Sequence, residues 1–163
     1  MELSARVAAP HDLDPVVQLA CEFWAEQRAA RGGELWAARE APQPAADDAL
    51  HRAAVSARYQ AAIDDRNIVV GIIDEVVLGY GRAAIETLGD GVMIGRISEL
   101  FVDVHAREVS LGDEIINHIV HELRGAGCSG VDAFALPGER LTKNFFEAHG
   151  FKARLLTMHH RFE

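Results

Sequence analysis

Apolar positions along the chain switch six times between strand and helix periods. Leu3 to Val7 predicts a short first strand. Asp12 or Asp14 can then cap a helix whose Leu13, Val16, Val17, Ala20, Phe23 and Trp24 follow helical spacing and which fades before Gly32-Gly33. From Gly32 to Pro44 the pattern lapses, which predicts a mobile segment, and Ala46 to Ile63 reads as a second helix. Ile68 to Ile73, Val76 to Thr87 and Val92 to Val104 are apolar, β-branched runs joined by Asp74-Glu75 and by Leu88-Gly89-Asp90-Gly91, the pattern of an antiparallel meander. Leu111, Ile115, Ile116, Ile119 and Leu123 return to helical spacing up to Gly125. A strand from Gly130 to Leu136, a helix from about Arg140 to His149 and a last strand from Phe151 to Phe162 complete the order.

Composition turns that order into a class. A chain of 163 residues with 49% hydrophobic positions fits one domain, residues 1–163, with a single substantial core. Of 26 alanines, 18 precede residue 63, and 12 of 14 glycines lie at or after Gly71, so a helix-rich first part leads into a strand- and turn-rich second part of one α/β (α+β) domain. No apolar run approaches the roughly 20 residues of a membrane span, and the N-terminus lacks a secretory pattern, so the expected setting is the cytoplasm, with no membrane partner. Sixteen basic against 25 acidic residues give a formal charge of −9, which opposes binding to nucleic acid. Cys21 and Cys128 stand far apart and fit neither metal nor redox spacing. His118-x-x-His121 puts two imidazoles on one helical side, but no further ligands accompany them, so no metal site is expected.

Chemistry concentrates between Ile97 and Ile116. There a strand, Ile97-Ser98-Glu99-Leu100-Phe101-Val102-Asp103-Val104, runs through a short loop into a helix. Such a junction aims free backbone N–H groups and the positive end of the helix dipole at one point, which suits a phosphate. The loop is neither the Gly-x-x-x-x-Gly-Lys of a nucleoside triphosphatase nor the Gly-x-Gly-x-x-Gly of a dinucleotide fold. Simple alternation along the strand would put Ile97, Glu99, Phe101 and Asp103 on one face.

At this point the chain resembles the GCN5-related N-acetyltransferase superfamily. Arg107, Ser110 and Gly112 occupy the marked positions of its pyrophosphate loop, Arg/Gln-x-x-Gly-x-Gly/Ala, and Phe146-Glu147-Ala148-His149-Gly150-Phe151 matches its closing aromatic-Glu-x-x-Gly-Phe pattern. The resemblance covers nearly the whole chain. It implies a mixed, mostly antiparallel sheet splayed to hold coenzyme A, and transfer of an acetyl or related acyl group from acetyl-coenzyme A to a small-molecule or peptide amine in a ternary complex. It implies that Arg107, Glu108, Val109, Ser110, Leu111, Gly112 and Asp113 surround the pyrophosphate, that the pantetheine pairs with Leu100, Phe101 and Val102, and that Asn144 and Phe146 also reach the cofactor. The main-chain N–H of Leu100 would polarise the thioester carbonyl, and Glu99, where relatives often carry a working acid, is the candidate base for the amine. A homodimer is a further family-based expectation.

Three positions depart from the family pattern. Ser110 stands in place of a usual glycine, and Glu139 where relatives often have a coenzyme-contacting asparagine. Phe146 replaces the tyrosine that in many members protonates the departing thiolate, and a phenyl ring has no proton to give. These departures motivate an alternative, a non-catalytic acyl-coenzyme A binding or sensing module. Trp24, Trp36 and Tyr80 can line an acceptor pocket or pack in the core, and Lys143 can reach a phosphate or stay on a solvated helix face.

Overall fold

A computed structural model describes residues 1–44 and 47–163. Five strands run in the spatial order of the chain: β1 (Leu3–Val7), β2 (Ile68–Ile73), β3 (Val76–Thr87), β4 (Met93–Val102) and β5 (Val131–Asp132). The first four pair antiparallel, and β5 joins β4 parallel through Gly95–Val131 and Arg96–Asp132 alone. One face of this open sheet carries α1 (Leu13–Ala29) and α3 (Asp48–Asp64), around a core that includes Val16, Phe23, Trp24, Tyr59, Ile68, Val70, Tyr80 and Phe101. The other face carries α4 (Leu111–Gly125) and α5 (Arg140–Ala148), with Val69, Ile97, Leu111, Ile115, Ile116, Ile119 and Phe146 buried between them. Among the described residues no helix is long and apolar enough to cross a membrane.

Strand glycines set how closely α4 can lie. A Cβ on Gly81 would fall 2.5 Å from Ile119 Cδ1, one on Gly71 2.7 Å from Ile115, and one on Gly95 2.4 Å from Leu123. These three strand glycines are therefore the floor of a helix-packing groove. Gly81→Ala is expected to cost about 1–3 kcal/mol through overpacking. A denaturant midpoint unchanged from wild type would refute this account of the groove.

Three expected elements differ. Gly32 to Pro44 is not a structureless segment but contains α2 (Gly33–Glu40). Gly32 turns the corner at φ +83°, and a Cβ on Gly33 would strike the Gln27 carbonyl, so the glycine pair is a tight α1–α2 junction whose helix buries Ala37. The strand expected over Gly130 to Leu136 is only the two residues of β5, and beyond it the chain turns towards α5 instead of continuing the ladder. The last strand, Phe151 to Phe162, does not form: the segment pairs with no strand, and Leu155, Leu156, Met158 and Phe162 are exposed. Its alternation suits a strand, but a ladder also needs a neighbouring edge, and two-residue β5 supplies almost none. Arg154 does pair with Asp132 of β5. The second helix matches its expectation from Asp47, whose carboxylate caps it by accepting from Leu50 N; Ala46 lies outside the described residues.

Candidate active site

The site grows out of an irregularity in β4. Arg82 pairs with Glu99 and Ala83 with Ile97, so Ser98 is an extra residue without a partner, a β-bulge. The bulge reverses which side chains face which layer. Ile97 packs in the α4 layer, whereas Phe101 lies in the α1/α3 core and Glu99 meets α3 there. The single face expected for Ile97, Glu99 and Phe101 is corrected accordingly: alternation holds only on either side of Ser98.

Backbone groups follow the same logic. Asp103 N donates to Leu78 O of β3. Successive N–H groups of a strand alternate sides, so Leu100 and Val102 turn theirs away from β3. On that side β5 has already ended, which leaves a gap with open main-chain donors. The gap meets the N-terminus of α4, where the first-turn N–H groups of Leu111 and Gly112 have no intrahelical acceptor. Ser110 adopts the left-handed conformation at φ +61°, a backbone state that favours glycine, and its hydroxyl makes no cap hydrogen bond. Gly112 faces the ring of Phe145, 3.2 Å from where its Cβ would stand.

A cavity of about 430 Å³ runs along this gap. Of the residues expected to act, Glu99, Leu100, Phe101, Val102, Arg107, Glu108, Ser110, Gly112, Asp113 and Phe146 line it. Val109 and Leu111 do not, and Leu111 instead fills the core. Asn144 is exposed outside the cavity wall, and Lys143 forms an exposed ion pair with Glu147 at 2.6 Å. Arg107 donates from Nε to Val102 O at 2.9 Å and pairs with Glu26 of α1 at 2.8 Å, its guanidinium 5.1 Å from the Phe101 ring centroid. Phe146 packs against Phe145 and Phe151, so its end of the cavity is apolar.

Glu99 sits in a network that sequence reasoning did not find. Its side chain is fully buried; Oε2 accepts from Tyr80 at 2.6 Å and from Tyr59 at 2.8 Å, while Oε1 meets Arg82 at 3.3 Å and Arg58 at 3.4 Å. A carboxylate has about four lone-pair directions, and each has a donor here. Burial, and then the charge of Glu99, push both tyrosine hydroxyls well above their ordinary range, so they remain donors. Trp24 donates its indole N–H to Tyr59, which makes it a core residue, whereas Trp36 stands in the cavity wall with Phe134. The one available sign of this network was Tyr59, a polar-tipped residue on the buried stripe Val55, Tyr59, Ala62, Ile63 of α3.

At the level of sequence, no family model and no curated protein matches this chain. Solved structures do. An aminoglycoside N-acetyltransferase, AAC(6')-Iy, in complex with CoA superposes with a TM-score of 0.74 at 14% identity, covering 99% of this chain and 95% of that one. The fold is that of the GCN5-related N-acetyltransferases. Glucosamine-6-phosphate N-acetyltransferase from Arabidopsis thaliana shares this fold over the full length of both chains, with a TM-score of 0.67 and 16% identity. So does a transcriptional regulator from Bacillus halodurans C-125, with a TM-score of 0.71, 17% identity and 99% of this chain covered.

Proposed function

We propose that this protein transfers an acetyl or related acyl group from acyl-coenzyme A to an amine by direct attack in a ternary complex. The observation that carries the reading is the gap beside β4, where the Leu100 and Val102 N–H groups and the free N-terminus of α4 converge on one cavity. The pantetheine amides complete the missing ladder along Leu100 to Val102, and the pyrophosphate sits on the first turn of α4. The Leu100 N–H, close to where the thioester carbonyl would lie, stabilises negative charge that develops on its oxygen. The amine, freed of its ammonium proton, attacks the carbonyl carbon and the carbon–sulfur bond breaks; the second proton shed by the amide nitrogen passes through water to the departing thiolate, since Phe146 has none to give.

Glu99 is the base in this reading, and Oε1 is the atom concerned. Its two contacts, at 3.3 and 3.4 Å, are the long ones, and both arginines are partly open to solvent. An ammonium group, or a water carrying its proton, displaces a long guanidinium contact more readily than either tyrosine. Neighbours of this fold act on aminoglycosides and on glucosamine-6-phosphate, both of which carry amines. Release of free thiol from acetyl-coenzyme A over an amine panel tests the proposal.

The occupied lone pairs of Glu99 and the apolar surroundings of Phe146 favour a second reading, a module that binds acyl-coenzyme A without turning it over. Coenzyme A binding with no thiol release from any amine would select it.

We further propose a homodimer built on the unpaired segment Phe151 to Phe162, where four large apolar side chains are 74–87% exposed in the single chain. Light scattering at micromolar concentration is expected to give twice the chain mass, and deletion of the segment is expected to return the monomer. A monomeric full-length chain rejects the dimer.

A further inference from the structure

The wall of the cavity opposite β4 is built by α1, α2 and the chain leading into α5, and the carboxylates that line the cavity differ in their compensation. Glu26 is balanced by Arg107 and Glu99 by Arg58 and Arg82, while Asp113 meets His149 at 2.9 Å and Glu108 has no cationic partner among the described residues. Glu139 also lacks a cation, and it alone of these carboxylates is held by a buried amide. Its Oε1 accepts from Gln27 Nε2 at 2.6 Å and its Oε2 from Leu136 N at 3.4 Å, and no cationic group pairs with it among the described residues. Both donors are neutral.

Gln27 is 7% exposed, so a buried amide on α1 is committed to orienting this carboxylate. The carboxylate fixes the amide with its NH₂ towards Glu139. Beside the pair stand Phe23 and Trp36, with Trp36 and Phe134 ring centroids 5.1 Å apart. The arrangement is an anchored anion without a paired cation, beside the aromatic rings of Phe23 and Trp36, in the same cavity that holds the coenzyme gap; Phe134 on the far side of Trp36 already carries the Arg96 guanidinium, 4.8 Å from its ring centroid.

We infer that Glu139 receives a second cationic centre of the acceptor, which makes the substrate class a diamine or polyamine. One ammonium docks on Glu139, the apolar spacer lies along Trp36 and Phe23, and the other nitrogen reaches the thioester. A charge-assisted bond to a partly buried carboxylate is strong enough to discriminate, and aromatic faces favour both the methylene chain and its cationic ends. The inference rests on the acyltransferase reading and adds to it the recognition of the distal charge. It also gives Glu139 a role in place of the coenzyme contact that relatives make there: in this chain the residue is turned to α1.

The test compares α,ω-diaminoalkanes of graded length with n-alkylamines of the same length, using the full chain and acetyl-coenzyme A. Wild type is expected to prefer the diamine by at least about tenfold in kcat/KM, with an optimum in spacer length. Glu139→Gln, which keeps a hydrogen-bonding oxygen for Gln27, is expected to reduce that preference to about twofold or less, and Glu139→Asp to keep it with a longer optimal spacer. Equal kcat/KM for mono- and diamines in wild type, or a diamine preference that survives Glu139→Gln, overturns the inference. If no amine releases thiol, calorimetry with 1,5-diaminopentane and pentylamine separates the two failures. Tighter binding of the diamine that is lost in Glu139→Gln upholds recognition without the chemistry. Equal binding of the two amines rejects the recognition itself.

Discussion

Glu99→Gln is expected to lower turnover by roughly 10²-fold or more while leaving coenzyme A affinity nearly unchanged. The substitution keeps the shape of the side chain and removes its charge and its capacity to take a proton. It also places an NH₂ group where only acceptors now stand. Turned towards Tyr59 and Tyr80 it opposes two hydroxyl donors, and turned towards Arg58 and Arg82 it opposes two guanidinium groups. One buried donor–donor conflict costs about 1–3 kcal/mol, so the variant also melts lower. Glu99→Asp keeps the charge and separates the two effects, because it is expected to recover part of the turnover. Steady-state kinetics at saturating acetyl-coenzyme A, run beside melting curves, reads both. Turnover equal to wild type in a folded Glu99→Gln protein would leave the carboxylate with only its structural task of tying α3 to β3 and β4.

The second large effect belongs to the loop. Gly112→Asp puts a carboxylate at the first turn of α4, against the position proposed for the pyrophosphate, and is expected to weaken coenzyme A binding by roughly 10²-fold or more. The same charge is favourable to the helix when no ligand is bound, since it faces the positive end of the dipole. Loss of affinity therefore should not follow from loss of fold. Gly112→Ala isolates the steric part, in which the Phe145 ring must yield to a Cβ 3.2 Å away. Calorimetry that finds wild-type affinity in folded Gly112→Asp would remove the pyrophosphate from this loop.

Much of this architecture was legible from apolar periodicity, because helices α1, α3 and α4 each bury one stripe and the meander is joined by short polar turns. The Asp74-Glu75 turn illustrates it, with both residues at positive φ as in a type I′ hairpin connection. What escaped depends on partners that are distant in sequence. The bulge at Ser98 is a property of the β3–β4 register, and nothing in the string Ile97 to Val104 announces it, yet it decides where Glu99 points. The tyrosine and arginine donors to that carboxylate come from α3 and β3, and the bond from Gln27 to Glu139 spans 112 positions. The segment from Phe151 to Phe162 shows the converse: its pattern is strand-like, but the chain offers it no edge. The junction from β4 into α4 was legible because a strand-to-helix turn occupies consecutive positions, although within it Val109 and Leu111 turn away from the cavity.

The most direct measurement is a coupled one on the purified full chain: free thiol released from acetyl-coenzyme A and acetylated product identified by mass, over monoamines, diamines and amino sugars. The account predicts that thiol and acetylated amine appear in equal amounts with at least one acceptor and that neither appears without one. Coenzyme A binding with no product from any amine, or thiol release independent of amine, would contradict it.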